Sequence, residues 1–386
     1  EDMKAGKTIC NQALPSWVTE AGRKGVHMEK GSYSPRSGNN EPRRQLDVYK
    51  RQYYPETVLG EKAVYGKTVY ENEGVRLWTR DDEVGILSFK SKMHAIGSDV
   101  LEGTLESIKV AEQKFKGIVL WQTEAPFSAG ANLAQVAKAL SENNFDVLKT
   151  MVKKFQDASM ALKYSSVPTV AAVSGLALGG GCEFVMHCAK TVAHLETYMG
   201  LVEVGVGLLP AGGGCKEFVI RAAAEAKGGN IFPFLQKYFE NMAMAKVSKS
   251  AQDAKDLGYL RQSDVIVFNP NELLYVATNE AKAMYESAYR PPLRAKDIPV
   301  VGKGGTATFK TALFNMKEGS FISEHDYEIG SRIALILGGG NVEQSSLVTE
   351  DWLLEAEYSN FIALLHMPKT QERIVHMLKT GKPLRN

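Results

Sequence analysis

The sequence predicts an α/β fold followed by a mainly helical C-terminal region. Three observations carry this expectation. Between residues 66 and 265, short apolar runs alternate with amphipathic stretches, the rhythm of strands and helices stacked in layers. Two of those runs, GIVLW at 117–121 and VPTVAAVSG, which opens at Val167, are apolar almost throughout, as strands buried on both faces are. From residue 266 onward, strand signals give way to capped helical segments.

Taken in order, residues 1–65 read as peripheral. KGSYSPRSGNNEPRR, at 30–44, has loop or linker composition, and a short helix is expected to end before Pro55. VRLWT and VGILSF read as two strands around a turn at Asp81 and Asp82. SDVLEGTLESIKVAEQK places Val100, Leu101, Leu105 and Ile108 at helical spacing. GIVLW follows as a buried strand, then the loop TEAPFSAGANL, then a long helix over about 145–165. VPTVAAVSG is the next strand, and CEFVMHCAK the next helix. In the C-terminal region, NPNELLYVATNEAKAMYESAYRPP is a helix stopped by two prolines. Helices are also expected over TATFKTALFNMKEG, HDYEIGSRIALIL, TEDWLLEAEYSNFIALL and KTQERIVHMLKTGKP. Thr349 caps one of the last two, and Gly381 with Pro383 ends the other. The domain reading is therefore 1–65, 66–265 and 266–386.

Composition excludes several classes. A hydrophobic content of 44% and a charged content of 23% in 386 residues describe an ordinary core-forming chain. A net charge of +2 argues against a dedicated nucleic-acid binder. No apolar run approaches the roughly 18–20 residues of a membrane span, and no secretory signal opens the chain. Cys10, Cys182, Cys188 and Cys215 form neither a CxxC pair nor a metal-ligand spacing, which points to a reduced, cytoplasmic setting and to no bound metal. The first residue is Glu1, and the expectation is a portion of a longer protein.

The chemistry concentrates in SGLALGGGCEFVMHC. Gly179–Gly181 permit two readings: a tight turn, or a helix start whose open N–H groups hold a phosphate or a developing oxyanion. Phosphate motifs fail. Gly205 and Gly207 are followed by Pro210 where GxGxxG needs glycine, and GEKAVYGKT is one residue too long for a P-loop. FSAGANL offers a second amide-bearing loop, with Gly130 and Ala131 ahead of a helix cap at Asn132. Glu203 stands twenty residues after Glu183, again in an apolar setting. Two carboxylates beside two amide donors suit proton transfer next to a carbonyl. Cys182, Cys188 and Trp121 read as core, His187 and His194 as structural, and nothing requires His94 to act.

FSAGANL, SGLALGGGCEF and YMGLVEVGVGLLPAGGG, in this order and at these separations, resemble the crotonase, or enoyl-CoA hydratase/isomerase, superfamily. The resemblance covers residues 66–265, and AQDAKDLGYL is similar to a later family segment. The whole chain is more similar still to the hydratase portion of bifunctional 3-hydroxyacyl-CoA dehydrogenase/enoyl-CoA hydratases, with residues 1–65 as the tail and linker of a preceding dehydrogenase region.

The resemblance implies a ββα spiral core. The N–H groups of Ala131 and Gly180 would bind the thioester oxygen, Glu183 would activate water and Glu203 would exchange a proton with the α-carbon. Lys92 and Met93 would lie at the CoA nucleotide, with Asn132, Leu133 and Gly179 also against substrate, although a lone exposed lysine such as Lys92 is more often just a solvated charge. The implied activity is hydration of trans-2-enoyl-CoA in fatty-acid β-oxidation. The alternatives are a Δ3,Δ2-enoyl-CoA isomerase and a non-catalytic acyl-CoA-binding or assembly domain. Coenzyme A arrives with the substrate, and NAD belongs only to the dehydrogenase region. A homo-oligomer or a thiolase partner is also implied. Asn132 replaces the family's aspartate, PAGGGCKEF departs from the usual PGxGGTQRL, and residues 228–246 are longer than the usual connection. The helical tail has two available positions, over its own site or onto a neighbour.

Overall fold

The computed structural model describes residues 66–386 and, ahead of them, residues 27–28, 31–34, 37 and 39–41. Two compact units divide at Tyr65 and Gly66. In the first, strands β1 (His27–Met28), β2 (Gly31–Ser34) and β3 (Asn39–Glu41) form an antiparallel sheet. Here the loop expectation for residues 30–44 is corrected over 31–34 and 39–41, which pair as antiparallel strands, and the Asn39 side-chain amide donates to the Ser37 carbonyl at 3.2 Å. The helix expected before Pro55 lies outside the described residues.

The second unit is built on a seven-stranded sheet in the order β10-β9-β8-β7-β6-β5-β4. These are β4 (Lys67–Glu71), β5 (Val75–Thr79), β6 (Val84–Phe89), β7 (Gly117–Trp121), β8 (Thr169–Leu178), β9 (Lys190–Gly200) and β10 (Val265–Val267). β4 to β6 are antiparallel and β6 to β10 parallel. β7 is buried along its whole length, as a central parallel strand must be.

Helices connect the parallel strands: α1 (Ser98–Lys114), α2 (Leu133–Ser141), α3 (Phe145–Tyr164) and α4 (Gly180–His187). The Asn132 side chain accepts from the Gln135 amide and caps α2. The expected helix CEFVMHCAK is shifted. It begins two residues earlier, at Gly180, and stops at His187, because Cys188 is already extended and leads into β9. β9 itself was not foreseen, since His194, Glu196 and Tyr198 hide its strand pattern.

After β9 come α5 (Gly214–Ala226), α6 (Phe232–Ala243) and α7 (Ala251–Leu257), and after β10 comes α8 (Leu273–Glu286). The remaining segment holds β11 (Ile298–Pro299), α9 (Gly302–Glu318), α10 (Glu324–Leu337), β12 (Leu347–Val348), α11 (Glu350–Leu365) and α12 (Pro368–Thr380), with β11 and β12 paired antiparallel. Its inner faces join the same hydrophobic core as the sheet, through residues such as Ile329, Ile333, Leu353, Leu364 and Ile374. Thr349 caps α11 by accepting from the Trp352 amide, and Gly381 ends α12 in the left-handed region at φ 68°. No helix among the described residues is long and apolar enough to cross a membrane.

Candidate active site

Strand pairing brings the glycine and acid motifs together. β8 and β9 stay paired past the rest of the sheet, to Leu178 and Gly200. The Gly179 amide then donates to the Gly200 carbonyl at 2.8 Å, so the start of α4 lies beside the segment carrying Glu203. On the other side of β8, Ser128 pairs with Ala177, which sets the 127–131 loop against the same strand end. Ile96 pairs in turn with Ala131, and the Ala129 amide donates to the Met93 carbonyl at 3.1 Å. Four chain segments thus run side by side at one end of the sheet.

They open onto a cavity of about 880 Å³. Glu183, Glu203, Ala131, Gly180, Gly179, Asn132, Leu133, Lys92 and Met93 all line it. Lys92 and Met93 are exposed at its edge, and among the described residues no acid lies within ion-pair distance of Lys92. The amides of Ala131 and Gly180 donate to no acceptor among the described residues. They converge: a Cβ placed on Gly180 would lie 3.6 Å from the Ala131 nitrogen and 2.5 Å from the Phe155 ring. Gly179 has φ 51° and ψ −125°, a conformation that side chains rarely adopt. It is what turns the Gly180 N–H at the start of α4 toward the cavity.

The two acids sit in different surroundings. Glu183 is buried, and its Oε1 accepts from the Gly212 and Gly214 amides, both at 2.8 Å. Burial raises its pKa to about 7, although the two glycine amides and Lys216 pull the other way. No donor among the described residues reaches Oε2. A Cβ on Gly212 would come within 2.6 Å of it. Glu203 opens a single helical turn, Glu203–Val206. Its Oε2 is buried without a hydrogen-bond partner among the described residues. Burial, then the charge of Glu183, pushes its pKa well above the carboxylate range.

Sequence reasoning missed what braces these acids. Glu357 on α11 accepts from the Gly213 and Lys216 amides. Thr370 and Arg373 on α12 donate to the carbonyls of Gly207 and Val204, at 2.8 and 3.2 Å, and so hold the turn carrying Glu203. A signal was present: Glu357 and Arg373 interrupt apolar stripes at helical spacing, Leu353, Leu354, Phe361, Leu364 and Thr370, Ile374, Met377. The helical tail lies over its own chain's site, where Met377, Leu378 and Pro383 line the cavity. Met244 and Ala245, from the 228–246 segment, line it as well. Cys182, Cys188 and Cys215 are buried thiols, Trp121 packs edge-on against Trp78, and His187 belongs to a buried ion network.

Residues 82–262 match the enoyl-CoA hydratase/isomerase family. That segment, residues 82–262, is of the crotonase superfamily. A crystal structure of enoyl-CoA hydratase from Bacillus halodurans shares the fold at TM-score 0.53 and 18% identity, over 78% of this chain and 98% of that one. A Bacillus subtilis protein named "Probable 3-hydroxyacyl-CoA dehydrogenase" is 36% identical over 385 residues, 97% of this chain and 47% of its own length. The fatty acid oxidation complex subunit alpha of Idiomarina loihiensis is 28% identical over 248 residues, 60% of this chain and 32% of its own. The chain described here thus spans about half or less of the longer relatives from Bacillus subtilis and Idiomarina loihiensis. The matched family is described as enoyl-CoA hydratase/isomerase, a CoA-thioester chemistry.

Proposed function

We propose that this chain hydrates trans-2-enoyl-CoA thioesters to 3-hydroxyacyl-CoA. The supporting observation is the pairing of two carboxyl groups of different environment with two unoccupied amides on one cavity. In this reading the Ala131 and Gly180 N–H groups hold the thioester oxygen as negative charge builds on it. Ionised Glu183 takes a proton from water, whose oxygen adds to C3. Protonated Glu203 delivers its proton to C2. The sum is addition of one water across the double bond. The greater length of the relatives, and the name 3-hydroxyacyl-CoA dehydrogenase that one of them carries, support a longer parent with a dehydrogenase region. The test is the loss of enoyl absorbance on adding purified protein to C4–C16 enoyl-CoA. Binding without turnover at every chain length would remove the hydratase reading and leave the isomerase and the assembly readings, which gain of enoyl absorbance from a 3-enoyl-CoA separates.

The acid assignments fix a pH dependence. Glu183 must be ionised to accept a proton, so kcat/KM is expected to fall as pH drops below about 7. Glu203 must be protonated, and its raised pKa puts the alkaline limb higher. Burial sets the Glu183 limb high, and Lys216 is the charged neighbour that pulls it back. A rate independent of pH between 5 and 8 would contradict the assignment.

Gly180→Ala is expected to lower kcat on the order of 100-fold. The added methyl would meet the Phe155 ring and displace the amide that faces the thioester. Steady-state kinetics check this, and a wild-type kcat would remove Gly180 from the oxygen-binding role.

A further inference from the structure

We propose that Glu357 is a positioning residue for the reaction: it holds from behind the glycine turn whose remaining amides orient Glu183. The inference rests on the hydratase reading, in which Glu183 activates water. The first N–H groups of a helix have no partner within it, and α5 begins at the last glycine of the GGG run, with Gly213 as its N-cap. Its unpaired donors are shared between two carboxylates in alternation. Gly212 and Gly214 donate to Glu183 Oε1, both at 2.8 Å. Between and beyond them, Gly213 donates to Glu357 Oε2 at 2.8 Å, and Lys216 to Glu357 Oε1 at 2.6 Å. Gly213 has φ 106°, and this left-handed step lets neighbouring amides face opposite sides.

The consequence falls on Glu183. Its Oε1 is committed to two amides, which leaves Oε2 for proton transfer. The angle of that oxygen toward the cavity is therefore only as well defined as the turn itself. Glu357 is fully buried and does not line the cavity, and both its oxygens are used on the turn. It touches no substrate and acts through Glu183. Burying a second carboxylate near the first is unfavourable. Burial, then the charge of Glu183, pushes the Glu357 pKa well up. An apolar side chain would avoid that cost but would orphan two buried amides.

The experiment is steady-state hydration of enoyl-CoA by wild type, Glu183→Gln, Glu357→Gln and the double variant. The two amides reach separate oxygens of Glu357, so a glutamine in the same place turns its NH₂ group, a donor, toward one of them. The expected result is a loss in kcat on the order of 10- to 100-fold with KM nearly unchanged. The double variant should be no slower than Glu183→Gln alone, since the second change acts only through the first. Unchanged kcat in Glu357→Gln, or losses that multiply in the double variant, would overturn the inference while leaving the hydratase reading intact. Full activity in Glu183→Gln would remove the hydratase reading and this inference with it. Should Glu357→Gln not fold, Glu357→Asp, which retracts the carboxylate by one methylene, is read in the same way.

Discussion

Glu183→Gln is expected to reduce hydration of enoyl-CoA by about 100- to 10000-fold, the usual contribution of a well-placed base. The substitution is chosen for what it keeps. A glutamine carbonyl can still accept from the Gly212 and Gly214 amides, so the buried turn is not left with orphan donors. What disappears is a group that can take a proton from water. Glu203→Gln should have a similar effect for the complementary reason, since it removes the proton delivered to C2. A single-acid isomerase would retain most of its activity in Glu183→Gln, and a binding domain would be indifferent to both changes. The rate of absorbance loss from a 2-enoyl-CoA, set beside the rate of absorbance gain from a 3-enoyl-CoA, separates the three readings. Near-wild-type hydration in Glu183→Gln would end the two-acid mechanism.

Lys216→Met is expected to destabilise the fold by about 3–5 kcal/mol, the cost of breaking a buried ion pair from one side. Lys216 has no solvent exposure. Its ammonium donates to Glu217 at 2.6 Å, to Glu350 at 2.9 Å and to His187 Nε2 at 2.9 Å. Lys163 meets the same two glutamates, at 2.5 and 2.9 Å. Although burial alone would raise them, Lys216 and Lys163 hold Glu217 well below the usual range and bring Glu350 to about 2. Burial, then Lys216, lowers His187 to about 3. The ring is therefore neutral, with Nε2 accepting from Lys216 and Nδ1–H donating to the Glu183 carbonyl at 2.6 Å. Methionine approximates the length of lysine, so the loss is mainly electrostatic: two carboxylates would share Lys163 alone. Guanidinium unfolding followed by tryptophan fluorescence measures it. Lys303→Met, in the exposed pair with Glu343, is the control and should leave the midpoint unchanged. Equal midpoints for Lys216→Met and wild type would contradict the account.

Much of the fold was legible because local signals agreed with the final packing. SDVLEGTLESIKVAEQK is α1 from first residue to last, and GIVLW is β7. Asn132 and Thr349 were readable as caps because their side chains act on amides only three residues away. The motif residues were legible too, since glycine runs next to isolated acids are uncommon inside apolar segments. Other features were hidden. β9 carries polar residues where it leaves the sheet and pairs with the end of β8. The end of α4 depends on the extended backbone at Cys188. The hairpin of β2 and β3 has linker composition.

By itself the sequence determined the α/β class, several helix boundaries, the crotonase likeness and a short set of motif residues that lie among those lining the cavity. Tertiary structure alone decided their partners. Glu357 stands 144 residues from Gly213, Glu350 stands 134 residues from Lys216, and Thr370 stands 163 residues from Gly207. Periodicity, caps and turns are set by neighbours along the chain. The pKa of a buried acid and the partner of an orphan amide are set by whatever the finished core places beside them.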